Sequence, residues 1–228
     1  ECFLDSAGQT DDKRKQLARY VDAANALMRA GLRDSAQEAI KKMKGLVFEV
    51  SDGEVVLLGT LRKLADFYKN KDLLFGVLER ILQFHPDDVE TRFSLAHNYS
   101  EATHNELSLF HYLKIPYQDR GAGAWNNLGV QFEQCNLPSK SVDAYRKAEE
   151  LGETLAMSNL AQKFISSGFL RDAEEICNRA IKIDGYHQNV SHAVSRIKAI
   201  PDEEGSKEIE LVDKAKPISE FYRDYGRA

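Results

Sequence analysis

Three of the chain's six histidines, His97, His104 and His111, recur at every seventh residue. On one unbroken helix that interval stacks side chains on a single face two turns apart, a setting for metal binding. The stretch from Thr103 to Asn105 has the character of a hairpin turn. The helix is therefore expected to break there, leaving the three rings solvated or capping turns. His187 and His192 are five apart, off the i, i+4 spacing of a helical ligand pair. Cys2, Cys135 and Cys177 are odd in number and far apart, which offers neither a disulfide framework nor a zinc motif. That usage suits a reducing compartment, and a cytoplasmic location is expected. Cys177 falls at a packed helical position and is expected in the core, while Cys135 sits at a helix end with no base near it in sequence. Glu149-Glu150 and Glu174-Glu175 are expected on solvated faces. No Gly-rich phosphate loop, GxSxG, HExxH or CxxC occurs. The segment is expected to be non-enzymatic, with no cofactor and no metal.

The remaining chemistry is that of surfaces. The 228 residues carry a net charge of −5, with 43% apolar and 29% charged side chains, the balance of a soluble fold. No long basic block is present, which argues against a nucleic-acid surface. No apolar run approaches the ~18–20 residues of a membrane span, so no membrane partner is expected. The chain begins with Glu1 rather than Met and ends abruptly at Tyr225-Gly226-Arg227-Ala228, so it reads as a piece of something longer.

The elements that would present such a surface are helices arranged in repeats. Leu128, Gly129 and Phe132 share a helical face, and Asn136 and Pro138 mark the end of one helix and the start of another. The second helix carries Val142, Tyr145, Ala148 and Leu151 on one face. The same hairpin recurs: Leu160, Ala161 and Phe164 follow 32 residues later, and Leu95, Ala96 and Tyr99 precede by 33. Leu64, Ala65 and Tyr68 lie earlier again, then a weaker Ala23, Ala24 and Leu27, with Ala193, Val194 and Ile197 at the far end. Gly31 and Gly168 are expected to supply the positive φ that closes two of the turns. Ala36 and Ala173 are expected where paired helices approach closely. A period of this length means stacked helix pairs.

These residues resemble a tetratricopeptide repeat. Trp125, Leu128, Gly129, Phe132, Tyr145 and Ala148 match that family's pattern, as do Met157, Leu160, Ala161, Phe164, Gly168, Ala173 and Ala180. Ser141 stands where the family prefers Ala, and Asn136 stands at the turn Gly. The resemblance covers residues 13–200 and is strongest over 89–185. It implies an all-α fold: a right-handed superhelical stack of antiparallel helix pairs, about five repeats plus C-terminal capping helices. Residues 1–12 are expected to form an N-terminal extension, 13–200 the repeat domain and 201–228 the capping helices, with a further domain as a candidate beyond them. Within 46–58, which interrupts the first period, helix ends are expected around Ser51-Asp52-Gly53.

The C-terminal part is expected to break at Pro201–Ser206 and to form two helices, Lys207–Lys214 and Pro217–Gly226. Ile209, Leu211 and Val212 would cover the open end of the stack. The stripe of Ile218, Phe221, Tyr222 and Tyr225 is expected to dock on the repeats, with docking on a domain outside this piece as the alternative.

First helices of such a stack line its concave side. Groove positions are then Val21, Asn25 and Met28; Phe93, His97 and Ser100; Asn126, Asn127, Val130 and Glu133; and Ser158, Asn159, Gln162 and Ile165. Asn127 and Asn159 are expected to form a ladder able to hydrogen-bond an extended peptide. The family's carboxylate clamp is not expected, because the rows lack the Lys it requires. The sequence thus points to a non-catalytic protein-interaction scaffold that takes a peptide or partner helix in a groove. Its alternative is a regulatory or oligomerisation region of a larger effector, with a homo-oligomer formed through the last helix.

Overall fold

The computed structural model describes residues 11–227, and all of their regular structure is helical. The chain divides at Asp119/Arg120 into two compact units. In the first, three hairpins follow one another: α1 (Lys13–Arg29) with α2 (Arg33–Leu46), α3 (Gly53–Phe67) with α4 (Lys71–Phe84), and α5 (Val89–Glu101) with α6 (Asn105–Lys114). α3 packs on both helices of the pair before it, and α5 packs on α4. In the second unit α7 (Ala122–Gln134) pairs with α8 (Pro138–Glu150), and α9 (Thr154–Ser166) pairs with α10 (Leu170–Ala180). α11 (Gln188–Tyr225) then lies against both α9 and α10. The fold is an all-α helical repeat.

One turn is used throughout. Gly31, Lys69, Thr103, Asn136 and Gly168 all take positive φ, between 51° and 80°. Around each, two backbone bonds close the helix end: the N–H of that residue meets the carbonyl three back, and the next N–H meets the carbonyl five back. Asn136 N donates to Glu133 O at 2.9 Å, and Leu137 N donates to Phe132 O at 2.7 Å; the other four turns repeat the pair. This double closure satisfies carbonyls that a helix end leaves orphaned. Caps complete several helix starts. Asp12 accepts from Arg14 N and Lys15 N, Asn70 from Leu73 N and Asp88 from Thr91 N. The bonds from Thr91 hold the Asp88 carboxyl below its ordinary pKa. In the interruption between repeats, α2 ends at Leu46, a short 3-10 turn spans Val47–Glu49 and α3 starts at Gly53.

Packing explains the small residue on each first helix. Ala24, Ala65, Ala96 and Ala161 are buried there, as is Gly129. A Cβ on Gly129 would lie 2.6 Å from Tyr145 Cδ1 and Cε1, and the Tyr145 ring is itself enclosed. The absent methyl therefore lets α7 and α8 approach, which offsets the roughly 1 kcal/mol that Gly costs a helix. Ser141 and Ser108 sit fully buried at the corresponding second-helix site, and Ser108 Oγ donates to Ala96 O at 2.8 Å.

Four expectations fail. His111 is buried rather than solvated: α6 starts at Asn105, which turns position 111 inward while His97 stays exposed on α5. His111 Nε2 lies 3.0 Å from Glu79 Oε1, which also accepts from Tyr99 Oη at 2.9 Å, and the Tyr99 and His111 rings stack at 5.6 Å. Burial lowers the His111 pKa, opposed by the Glu79 carboxylate.

The C-terminal part is one continuous helix rather than two, running through Pro201, Gly205 and Pro217. The end of the repeats is covered by its first part, through Val190, Ala193, Ile197 and Ile200. Ile209, Leu211 and Val212 are exposed and cover nothing among the described residues. The stripe of Ile218, Phe221, Tyr222 and Tyr225 does not dock on the repeats either; all four are exposed, Tyr225 to 74%. The physical reason is common to both: the helix does not turn back at Pro201, so its later residues run past the last hairpin.

Candidate functional site

The second unit brings three successive first-helix positions together through α7, α9 and α11. Trp125, Leu128 and Phe132 anchor α7 in the core, as Met157, Leu160 and Ala161 anchor α9. The residues between these anchors form a polar row. Asn159 Nδ2 donates to Asn126 Oδ1 at 3.0 Å, and Asn126 Nδ2 donates to Asn127 Oδ1 at 3.2 Å. The rung linking the repeats therefore runs through Asn126, which is 5% exposed, with Asn127 half-buried at its edge. Glu133 is held at the end of α7: Lys163 Nζ lies 2.6 Å from its Oε1, and Tyr145 Oη donates to its Oε2 at 3.3 Å. Burial and the Glu133 charge push the Tyr145 phenol up.

Beside this row, α9 and α11 enclose a hollow of about 410 Å³ lined by Ser158, Asn159, Gln162, Asn189, His192 and Arg196, with Ala193 at its floor. A neighbouring hollow of about 360 Å³ shares Gln162 and Arg196 and extends to Ile200 and Glu203. Arg196 Nη1 lies 2.6 Å from both carboxylate oxygens of Glu203. His187 opens α11, with its Nδ1 accepting from Asn189 N at 3.2 Å and its own N–H donating to Thr154 Oγ1 at 2.9 Å. These two bonds fix the entry of α11 against α9. The arrangement offers amide donors and acceptors, an imidazole and a guanidinium along one open face, the equipment for hydrogen-bonding a polypeptide.

The expected groove residues divide between the units. Phe93 and His97 belong to the first, on α5; Phe93 is half-buried with its ring edge-on to Tyr112 at 5.6 Å, and His97 is exposed. Asn126, Asn127, Val130, Glu133, Asn159 and Gln162 belong to the second. Gln162 and Glu133 are exposed, Asn127, Val130 and Asn159 are half-buried, and Asn126 is inside. Ser158, Ile165 and Met28 are buried as well; Ser158 and Ile165 line the two hollows, and Met28 packs in the core of the first unit. Asn189, His192 and Arg196 are not among the groove positions expected from the sequence, where His192 figures only as a metal-ligand candidate. The spacing held a signal for one of them: His192 follows Asn159 at the same interval that separates Asn159 from Asn126.

Among the described residues no group of three or more His, Cys, Asp or Glu is placed to hold a metal ion. No helix among them is long and apolar enough to cross a membrane.

No family model matches the chain, and no curated protein matches it. Solved structures do. The chain is similar to a Signal Transduction ATPase with Numerous Domains (STAND) protein with a tetratricopeptide repeat sensor, from Pyrococcus horikoshii. The TM-score is 0.62 at 17% identity, covering 89% of this chain and 35% of that one, so it spans about a third of that protein. It is similar to MamA, with a TM-score of 0.55 at 18% identity over 73% of this chain and 94% of that one. It is also similar to PilF of Pseudomonas aeruginosa, with a TM-score of 0.53 at 12% identity over 93% and 92% of the two chains. At these identities the likeness shows the fold.

Proposed function

We propose that this tetratricopeptide-like helical repeat is a non-catalytic protein-interaction scaffold, which holds an extended segment or helix of a partner along α7, α9 and α11. The observation that carries this reading is the row from Asn127 through Asn126 and Asn159 to the hollow at Gln162, His192 and Arg196. The Asn126–Asn159 rung and the Lys163–Glu133 pair fix adjacent repeats before any partner arrives. A face ordered in advance loses little freedom on binding.

The test is comparative capture. A partner retained by the wild-type chain should be lost from an Asn127→Ala/Asn159→Ala/Gln162→Ala variant and kept by Arg146→Ala on an outer helix. Equal retention by both variants, with both folded, means that the groove assignment is wrong.

A second reading is supported by the exposed apolar side chains on the later part of α11. On this reading the chain self-associates through that helix, as an oligomerisation region of a larger effector.

A further inference from the structure

Arg196 is the charge around which the open face of the second unit is arranged. It lines both hollows, and among the described residues lining either one it is the only Lys or Arg. Its exposed guanidinium already holds a carboxylate, with Nη1 2.6 Å from each oxygen of Glu203. Both oxygens thus crowd onto one nitrogen. A guanidinium carries five N–H donors, and its strongest grip on a carboxylate uses two parallel bonds from two nitrogens. The Glu203 contact leaves the edge formed by Nε and Nη2 unused.

The two hollows differ in charge. The one toward Ile200 is bordered by Glu203 and Glu204 as well as Arg196, so an anion there meets two carboxylates. The one toward Asn159 has no carboxylate in its lining, and Arg196 stands there among the amides of Asn159, Gln162 and Asn189 and the imidazole of His192. This second hollow lies partway along the polar row. The Asn126–Asn159 rung borders it on one side and the first hollow on the other. A segment lying along the row therefore crosses it with an internal residue, and any group it places there comes from a side chain.

Resting on the groove reading above, we propose that the partner segment is acidic: one Asp or Glu side chain enters the 410 Å³ hollow and takes the Nε–Nη2 edge of Arg196. Amide hydrogens of Asn159, Gln162 or Asn189 then meet its remaining lone pairs. Glu203 opposes this arrival by like charge across the same guanidinium. It acts as an internal competitor, and a weak one, because both members of the Arg196–Glu203 pair are exposed.

Random dodecapeptides displayed on phage test this, since their C-termini are fused to the coat protein and they offer only side-chain carboxylates. Selection on the wild-type chain should enrich an Asp or Glu at one fixed position. In synthetic, C-terminally amidated copies, changing that residue to its amide should weaken binding about tenfold, as should Arg196→Gln. The two losses should not add. Arg196→Lys should recover only part, because a point charge lacks the fork. Glu203→Gln keeps an acceptor for Nη1 without the charge and should tighten binding several-fold, a gain that misfolding cannot produce. Peptides without a fixed acidic residue, or acidic peptides indifferent to Arg196→Gln, overturn the carboxylate site. If Asn127→Ala/Asn159→Ala/Gln162→Ala still abolishes their binding, the groove reading stands. Peptides untouched by that triple variant, or no enrichment at all, overturn both. Free succinate binding as tightly as the peptides overturns the partner segment in favour of a small acid.

Discussion

Asn159 donates a hydrogen bond of 3.0 Å to Asn126 across two repeats, and Asn126 passes its own amide hydrogen to Asn127 at 3.2 Å. The buried member of this chain is Asn126, so its loss leaves the Asn159 amide without that acceptor. Asn126→Ala should destabilise the second unit by about 1–3 kcal/mol. Asn127→Ala, at the half-buried edge, should cost under about 1 kcal/mol. Urea titration of the two variants measures the difference; equal losses would mean that the rung does not bind the repeats together.

Glycine replacements should separate by site rather than by helix propensity. Gly129→Ala sets a methyl against the enclosed Tyr145 ring and should cost about 1–3 kcal/mol. A Cβ on Gly59 or Gly76 meets nothing within 4 Å. Alanine at either should stabilise by about 0.5–1 kcal/mol. Thermal melts of the three variants rank them.

Two of the left-handed turn residues are poorly suited to their conformation. Thr103 holds φ of 61° and Lys69 φ of 51°, where the side chain crowds the following carbonyl at roughly 1–2 kcal/mol. Thr103→Gly should therefore raise stability by about 0.5–1 kcal/mol, after the added entropy of the unfolded chain is subtracted. Asn136→Gly should gain less, because Asn tolerates this region. The ordering is checked by denaturation midpoints; a Thr103→Gly that loses stability would refute it.

Acid should weaken the first unit through His111. Its folded pKa is lowered, chiefly by burial, with Arg92 acting the same way and Glu79 opposing. The unfolded chain then binds more protons, so this contribution is full above the ordinary His value of about 6.5 and is lost as pH falls below it. His111→Gln can still donate to Glu79 but cannot titrate. Between pH 7.5 and 5 its stability should fall less than that of the wild type, as read from urea midpoints at each pH.

The repeat itself was legible because its signals are local. Leu128, Gly129 and Phe132 announce a packed helical face, and Gly31, Asn136 and Gly168 announce turns by residue type alone. Lys69 carries no such signal; its backbone is imposed by the hairpins on either side. His111 was misread because its burial depends on α4, which supplies Glu79 from 32 residues away. The rung expected between Asn127 and Asn159 runs through Asn126 instead, and only the angle at which α7 meets α9 decides which of two adjacent amides turns inward. Pro201 was read as a stop, yet a helix continues through it where solvent can satisfy the freed carbonyl.

The five closing turns spend only main-chain groups on their two bonds, and glycine, lysine, threonine and asparagine all serve at the same point. The bonds that fold the hairpin back are thus held by the backbone, and several residue types serve there at a difference of about 1–2 kcal/mol. A lineage of such chains can rewrite its turns one substitution at a time while keeping its shape, so that likeness in form outlasts likeness in spelling.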